Sequence, residues 1–173
     1  MTSLVFPGVD GDPDDDVMLE LGRMTWAAMA LEEAVYGVCR VVKPRHGPYD
    51  DHPIGARIDE AVMDLDAYDD AALQERTRQW LLAAKAALEA RNSVLHSTHV
   101  VFWPLPGTTP VPETTGAFLA HFPRKDKRAQ VQTPLTVEGL SPLRRRLQAA
   151  HQHWVEVASA VFAAHRPYSP GSA

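Results

Sequence analysis

The chain has 173 residues, 45 % of them hydrophobic, and a formal net charge of −5. This length and apolar content suffice for one hydrophobic core, so we expect a single domain over residues 1–173. No apolar run approaches the roughly 18 to 20 residues of a membrane span, and the first residues lack the basic and apolar regions of a signal peptide. These features predict a cytoplasmic protein that does not use a membrane. The acidic charge argues against a protein that coats nucleic acid through its overall field, although a local basic surface is compatible with it.

The first half of the chain predicts helices. Residues 1–13 are rich in proline and glycine, which indicates an extended arm. Helix 1 is expected from about Asp14, where three consecutive aspartates provide an N-cap and favourable charge, to about Val42, before Pro44. Its apolar stripe, which we assign to the core, comprises Met18, Leu21, Trp26, Met29, Val35 and Val38. Cys39 continues this pattern and is predicted to be a small buried hydrophobe, since a single cysteine cannot form an internal disulfide.

Two further helices follow in the pattern of apolar residues. Spacings of three and four from Ile54 to Leu65 predict a short second helix. A third helix is expected after Asp69 and Asp70. Its predicted core stripe contains Leu73, Trp80, Leu81, Ala84, Leu88 and Leu95.

Beyond Thr98 the periodicity changes. β-branched and aromatic residues interrupted by prolines predict a β-hairpin or small meander in residues 98–133. Thr136, Gly139 and Ser141 then mark the entry to a last helix that we expect to continue to about His165, and residues 167–173 are predicted to be a disordered tail. The sequence therefore predicts an all-α fold, an antiparallel up-and-down four-helix bundle with a small β-hairpin inserted between the third and last helices.

Three polar residues stand out near the end of the third helix: Arg91, Asn92 and His96. Asn92 and His96 are four residues apart, so a helix would place them on one face, with Arg91 beside them. A guanidinium binds phosphate, a histidine can transfer a proton near neutral pH, and an amide can orient either group. Together they are the minimum for metal-free RNA cleavage, in which the ribose 2′-OH is the nucleophile. The structural alternative is equally concrete, because the same residues can bond neighbouring carbonyls or cap the helix C-terminus.

The run Arg91, Asn92 and His96, at the end of the third helix of an expected bundle, resembles the signature of the HEPN superfamily, and its flanking sequence is similar to small actinobacterial proteins of this kind. The resemblance implies a helical domain that forms a symmetric homodimer. It also implies a composite metal-independent endoribonuclease site across the dimer interface, in which Arg91 holds the phosphate, His96 transfers a proton and Asn92 positions them. No cofactor is implied.

The same resemblance implies a biological setting and an alternative to catalysis. Members act on RNA in toxin, phage-defence or stress-response contexts, so an antitoxin of the nucleotidyltransferase type is an expected partner. Many members have lost catalysis. The alternative is therefore a non-catalytic dimerisation, ligand-binding or protein-binding module.

Other clusters are weaker candidates. Four basic residues beside Phe122 could form an RNA-binding surface or a solvated turn: Arg124, Lys125, Lys127 and Arg128. His96 and His99 have a spacing that could bind a metal on a helix, with Glu89 or His121 as a further ligand, but the residues after Thr98 favour a strand. The aspartates from Asp10 resemble the start of a calcium loop, yet Asp15 and Leu21 stand where such a loop needs glycine and glutamate. We therefore predict no metal site.

Overall fold

A computed structural model describes residues 15–43, 52–95, 98–102, 116–121 and 131–164 of the chain. Helices dominate this described part, which confirms the all-α prediction. They are α1 (Asp15–Val42), α2 (Ile54–Asp64), α3 (Ala71–Leu95), α4 (Val137–Gln152) and α5 (Trp154–Ala164), with a single 3₁₀ turn (Leu65–Ala67) after α2. None of these helices is both long and apolar enough to cross a membrane. The predicted arm and tail lie outside the described residues.

The helix starts follow the predicted caps. Asp15 and Asp16 occupy the first turn of α1, where the helix dipole favours negative charge. Asp70 caps α3, since its Oδ1 accepts hydrogen bonds from the backbone N–H groups of Ala72 at 2.9 Å and Leu73 at 3.0 Å. Thr136 caps α4 in the same way. Its Oγ1 accepts from the N–H of Gly139 at 3.1 Å.

The last predicted helix is two consecutive helices, so its continuity to residue 165 was wrong. The interruption lies at His153, whose N–H donates to the carbonyl of His151 instead of continuing the regular ladder. The ladder resumes where the N–H of Val157 donates to the carbonyl of His153 at 3.3 Å. Apolar residues keep their helical spacing across this point, with Leu147 and Val157 both buried, so periodicity alone could not reveal the interruption.

α1 and α3 each contact all four other helices, and the most extensive contact is that between α1 and α4. The largest side chains at the centre of the core are almost completely buried: Met24, Leu31, Ile58, Leu65, Leu81, Leu88, Leu140 and Leu147. Trp80, buried as predicted, also donates its indole N–H to the carbonyl of Ala150 at 2.8 Å. This bond satisfies the polar atom of a core residue and joins α3 to α4.

Helices α2 and α3 lie side by side in opposite directions, with ion pairs between them. Lys85 bonds Asp59 at 2.6 Å, and Arg78 bonds Asp66 at 2.8 Å. Asp66 follows Asp59 in the chain but pairs with Arg78, which precedes Lys85, so the two segments are antiparallel. These contacts place the C-terminal end of α3, which carries Arg91, beyond the start of α2.

Three strands lie between α3 and α4: β1 (Thr98–Phe102), β2 (Gly116–His121) and β3 (Val131–Pro134). They form an antiparallel sheet in the order β1-β2-β3. In its register, His99 is opposite Leu119, which in turn is opposite Thr133. The residues that connect the strands lie outside the described part.

Several residues assigned to the core stripes are exposed. Trp26 is 74 % exposed, and Met18, Met29 and Leu95 are also at the surface. In α1 the buried face instead includes Val17, Glu20, Met24, Ala27 and Leu31. The prediction failed because α1 has apolar residues on more than one face, so that selecting large apolar side chains joined two different surfaces into one stripe.

Candidate functional site

Arg91 and Asn92 lie in the last turns of α3, as predicted, whereas His96 lies outside the described residues. The Nη2 atom of Arg91 donates to Oε1 of Glu32 on α1. The Arg91 side chain is 14 % exposed and that of Glu32 is 30 % exposed. The guanidinium is therefore largely enclosed between two helices and faces a carboxylate of the opposite charge.

A second atom of the Arg91 guanidinium is closed to a ligand. The Nε atom of Arg91 is buried and has no hydrogen-bond partner in the part of the chain that the structure describes. Asn92 is partly buried beside it. A phosphate approaching Arg91 would have to compete with Glu32 for the guanidinium and would meet the negative charge of that carboxylate.

The structure describes some residues of the other predicted sites. The basic residues Arg124, Lys125, Lys127 and Arg128 lie outside the described residues, as do the first aspartates of the calcium-like sequence. His99 lies in β1, so it does not share a helical face with His96 as the metal alternative requires. No group of three His, Cys, Asp or Glu side chains with metal-binding geometry occurs among the described residues.

A second polar cluster, which sequence reasoning missed, lies between α1 and α4. Oε1 of Glu20 accepts hydrogen bonds from the hydroxyl of Ser141 at 2.9 Å and from Nε of Arg144 at 2.6 Å. Arg23 approaches the other carboxylate oxygen at 3.9 Å. The Glu20 side chain is only 3 % exposed. Its position three residues from Val17 and four from Met24 on the buried face was the available signal.

The electrostatics of Glu20 favour its charged form. Burial raises the pKa of the Glu20 carboxyl, but the hydrogen bonds from Arg144 and Ser141 and the charges of Arg144 and Arg23 outweigh burial and bring the pKa below its usual value. A buried carboxylate held in this way is ionised at neutral pH. It fixes the start of α4 against the start of α1.

Beside this cluster, α1 and α4 enclose an open groove of about 870 Å³. α1 contributes an apolar wall with Met18, Leu19 and Trp26, which are 49 %, 51 % and 74 % exposed. α4 contributes the polar side chains of Gln148 and His151. A tryptophan that is mostly exposed on the wall of a groove is typical of a binding surface, because covering its large apolar area makes a favourable contribution to the free energy of binding.

Cys39 is not a candidate nucleophile. The residue is buried in the core, as predicted. Burial raises the pKa of its thiol to about 11, despite the opposing positive charge of Arg57. Arg57 is itself buried and lies over the ring of Tyr36, with 5.4 Å from the guanidinium carbon to the ring centroid. The thiol is thus protonated and inaccessible at neutral pH.

Comparisons with known proteins give no family assignment: no protein-family model, no curated protein and no solved structure matches this chain. The geometry alone gives three candidate sites: the pair of Arg91 with Glu32, the cluster around Glu20, and the groove beside Trp26.

Proposed function

We propose that this chain is a HEPN-like, non-catalytic interaction module, a helical domain that acts by binding a protein partner or a second copy of itself. The observation that carries the proposal is the engagement of Arg91 by Glu32, with only 14 % of the arginine side chain exposed. An arginine that binds the scissile phosphate must present its guanidinium to the substrate. Here the guanidinium joins α3 to α1, which is a structural role.

The proposal includes the finer features that the resemblance implies. Among the features of the expected antiparallel up-and-down four-helix bundle, the opposite directions of α2 and α3 give support. α1 departs from that order: Tyr36 and Lys43 meet Arg57 and Asp64, so α1 and α2 run in the same direction. The domain forms a homodimer, works in the cytoplasm, and belongs to a toxin, defence or stress-response setting in which an antitoxin of the nucleotidyltransferase type is a partner.

A metal-independent endoribonuclease is the second candidate. One observation favours it: Glu32 holds Arg91 in a fixed position beside Asn92, which lies four residues before His96 in the chain. If Glu32 were displaced, Arg91 would bind the phosphate, His96 would transfer the proton, and Asn92 would position them. Arg124, Lys125, Lys127 and Arg128 would contact the RNA backbone.

Both candidates are tested by incubating structured and single-stranded RNA with the purified protein in EDTA. The comparison includes Arg91→Ala, His96→Ala and Glu32→Gln, with Arg76→Ala as a matched control because Arg76 is an exposed arginine on the same helix. An interaction module leaves the RNA intact in every sample. A nuclease cleaves it, loses cleavage in the first two variants while retaining its helical circular dichroism, and gains activity when Glu32→Gln removes the charge that holds the guanidinium.

A further inference from the structure

The groove between α1 and α4 presents a continuous apolar surface along α1. Met18, Gly22 and Trp26 follow one another at intervals of four residues, so their positions lie along one face of the helix. Gly22 leaves open space, since a Cβ built on it would meet nothing within 4 Å. The apolar side chains of Met18 and Trp26 thus flank a shallow depression in which another helix can approach the backbone of α1 closely.

The side chains that line the groove carry charge of one sign, while the exposed Asp15 and Asp16 lie beyond its end in the first turn of α1. The charged side chains that line the groove are Arg23 and Arg144, and no Asp or Glu among the described residues lines it. Glu20, behind the wall, is the nearest carboxylate partner of both arginines and is almost completely buried. Two guanidiniums facing one carboxylate leave a positive charge at the groove, and 60 % of the Arg23 side chain is exposed. This is the opposite of the protein as a whole, whose net charge is −5.

We propose that this groove binds an amphipathic helix of a partner protein, with its apolar stripe on Met18, Gly22 and Trp26 and its acidic residues beside Arg23 and Arg144. The inference rests on the proposed function as an interaction module and names the class of its partner. The wall of α1 from residue 18 to residue 30 spans ~18 Å, which accommodates about three turns of a bound helix. Recognition by apolar anchors at helical spacing with charged flanks is an established way in which helices bind grooves.

A second copy of this chain fits the groove less well. In a symmetric dimer the same surface is present on both sides of the contact. Joining two of these grooves would bring the exposed Arg23 of one copy towards the equally cationic groove of the other, and like charges at an interface are unfavourable. An acidic helix instead supplies the complementary charge.

The test uses two fluorescent synthetic helical peptides of about 18 residues, long enough for the three turns that the groove accommodates. Both carry leucines at spacings of three and four; the flanking positions are glutamate in one peptide and lysine in the other. Fluorescence anisotropy with the full chain is expected to show at least a roughly tenfold preference for the acidic peptide, which weakens as salt is added.

Three variants locate the binding site. Trp26→Ala is expected to weaken binding of the acidic peptide by about tenfold or more, because Trp26 is the largest exposed apolar side chain of the groove. Arg23→Glu is expected to remove the preference for the acidic peptide. Met63→Ala is the matched control, since Met63 is 66 % exposed on α2 and does not line the groove. Circular dichroism verifies that each variant keeps its helices.

Two results would overturn the proposal. One is equal affinity for both peptides, or affinity for the acidic peptide that Trp26→Ala leaves unchanged. The other is a dimer, measured by light scattering after gel filtration, that Trp26→Ala dissociates, because a second copy would then occupy the groove. Failure of the proposed function is a separate result, since RNA cleavage that depends on Arg91 is measured without the peptide.

Discussion

α1 carries two glutamates that each bind an arginine of another helix, and the two pairs differ in depth and in number of partners. Glu20, 3 % exposed, accepts from both Ser141 and Arg144 of α4. Glu32, 30 % exposed, binds Arg91 of α3. The deeper carboxylate accepts two hydrogen bonds on Oε1 and has Arg23 near its other oxygen. The shallower one makes one hydrogen bond within the described residues, at the edge of the helical core.

This difference shows that the motif around Arg91, although unusual in sequence, makes fewer buried polar interactions than Glu20 does. Arg91 attracts attention because it lies near the end of an Ala-rich and Leu-rich helix, yet its contact with Glu32 remains partly open to solvent. Glu20 lies in an ordinary helical sequence but is buried when α4 docks on α1. Burial increases the cost of removing one partner of an ion pair, so we expect the two pairs to contribute unequally to stability.

The largest effect is expected from Glu20→Ala. The substitution removes the partner of Arg144 and Ser141 inside the contact between α1 and α4, and should lower the free energy of unfolding by about 3 kcal/mol. Urea denaturation measures it. Glu33→Ala, an exposed glutamate on the same helix, is the control and should change stability little. A loss at Glu20 no larger than at Glu33 would contradict the network assigned here.

The Arg91 pair should have a smaller effect. Arg91→Ala and Glu32→Ala are each expected to lower the free energy of unfolding by about 1 to 2 kcal/mol, because one side of the pair remains hydrated. The double variant should lose less than the sum of the two single losses, since the two side chains act through the same contact. Additive losses in this double-mutant cycle would show that the residues do not interact.

Much of the helical framework could be predicted from local sequence. Asp70 and Thr136 have the side chains that cap helices, and each caps the helix predicted to follow it. The burial of Cys39 and Trp80 also followed from apolar periodicity. These properties depend on residues within a few positions of one another, which a single sequence contains in full.

The candidate sites depended instead on contacts between distant segments. Glu20 is separated from Ser141 by 121 residues, and Arg91 from Glu32 by 59 residues. Neither pairing has a local signature. Trp26 was assigned to the core because apolar side chains on α1 cannot be divided between a core face and a binding face until the neighbouring helices are known.

Lowering the pH should reduce the difference in stability between the wild type and a variant with a neutral side chain at Glu20. The pKa of Glu20 is lowered from its usual value of 4.5 in the folded protein. The charge of Glu20 therefore stabilises the fold at pH values above 4.5, and this contribution is lost as the pH falls through the lower pKa of the folded state. Glu20→Gln removes this contribution. The difference in unfolding free energy between the wild type and Glu20→Gln should therefore shrink between about pH 6 and about pH 3 in urea denaturation. A difference that is constant over this range would exclude the assigned shift.

The smallest effect is expected at Arg23, which approaches Glu20 at 3.9 Å but has 60 % of its side chain exposed. Arg23→Ala should change the free energy of unfolding by no more than about 0.5 kcal/mol, because water and salt screen an exposed charge. Arg144→Ala should cost several times more, since Arg144 is 24 % exposed and bonds Glu20 at 2.6 Å. Equal losses in urea denaturation would contradict this ranking. If Arg23 adds almost nothing to stability, its exposed charge beside Trp26 is available for a partner, and substitutions at Arg23 report on binding rather than on folding.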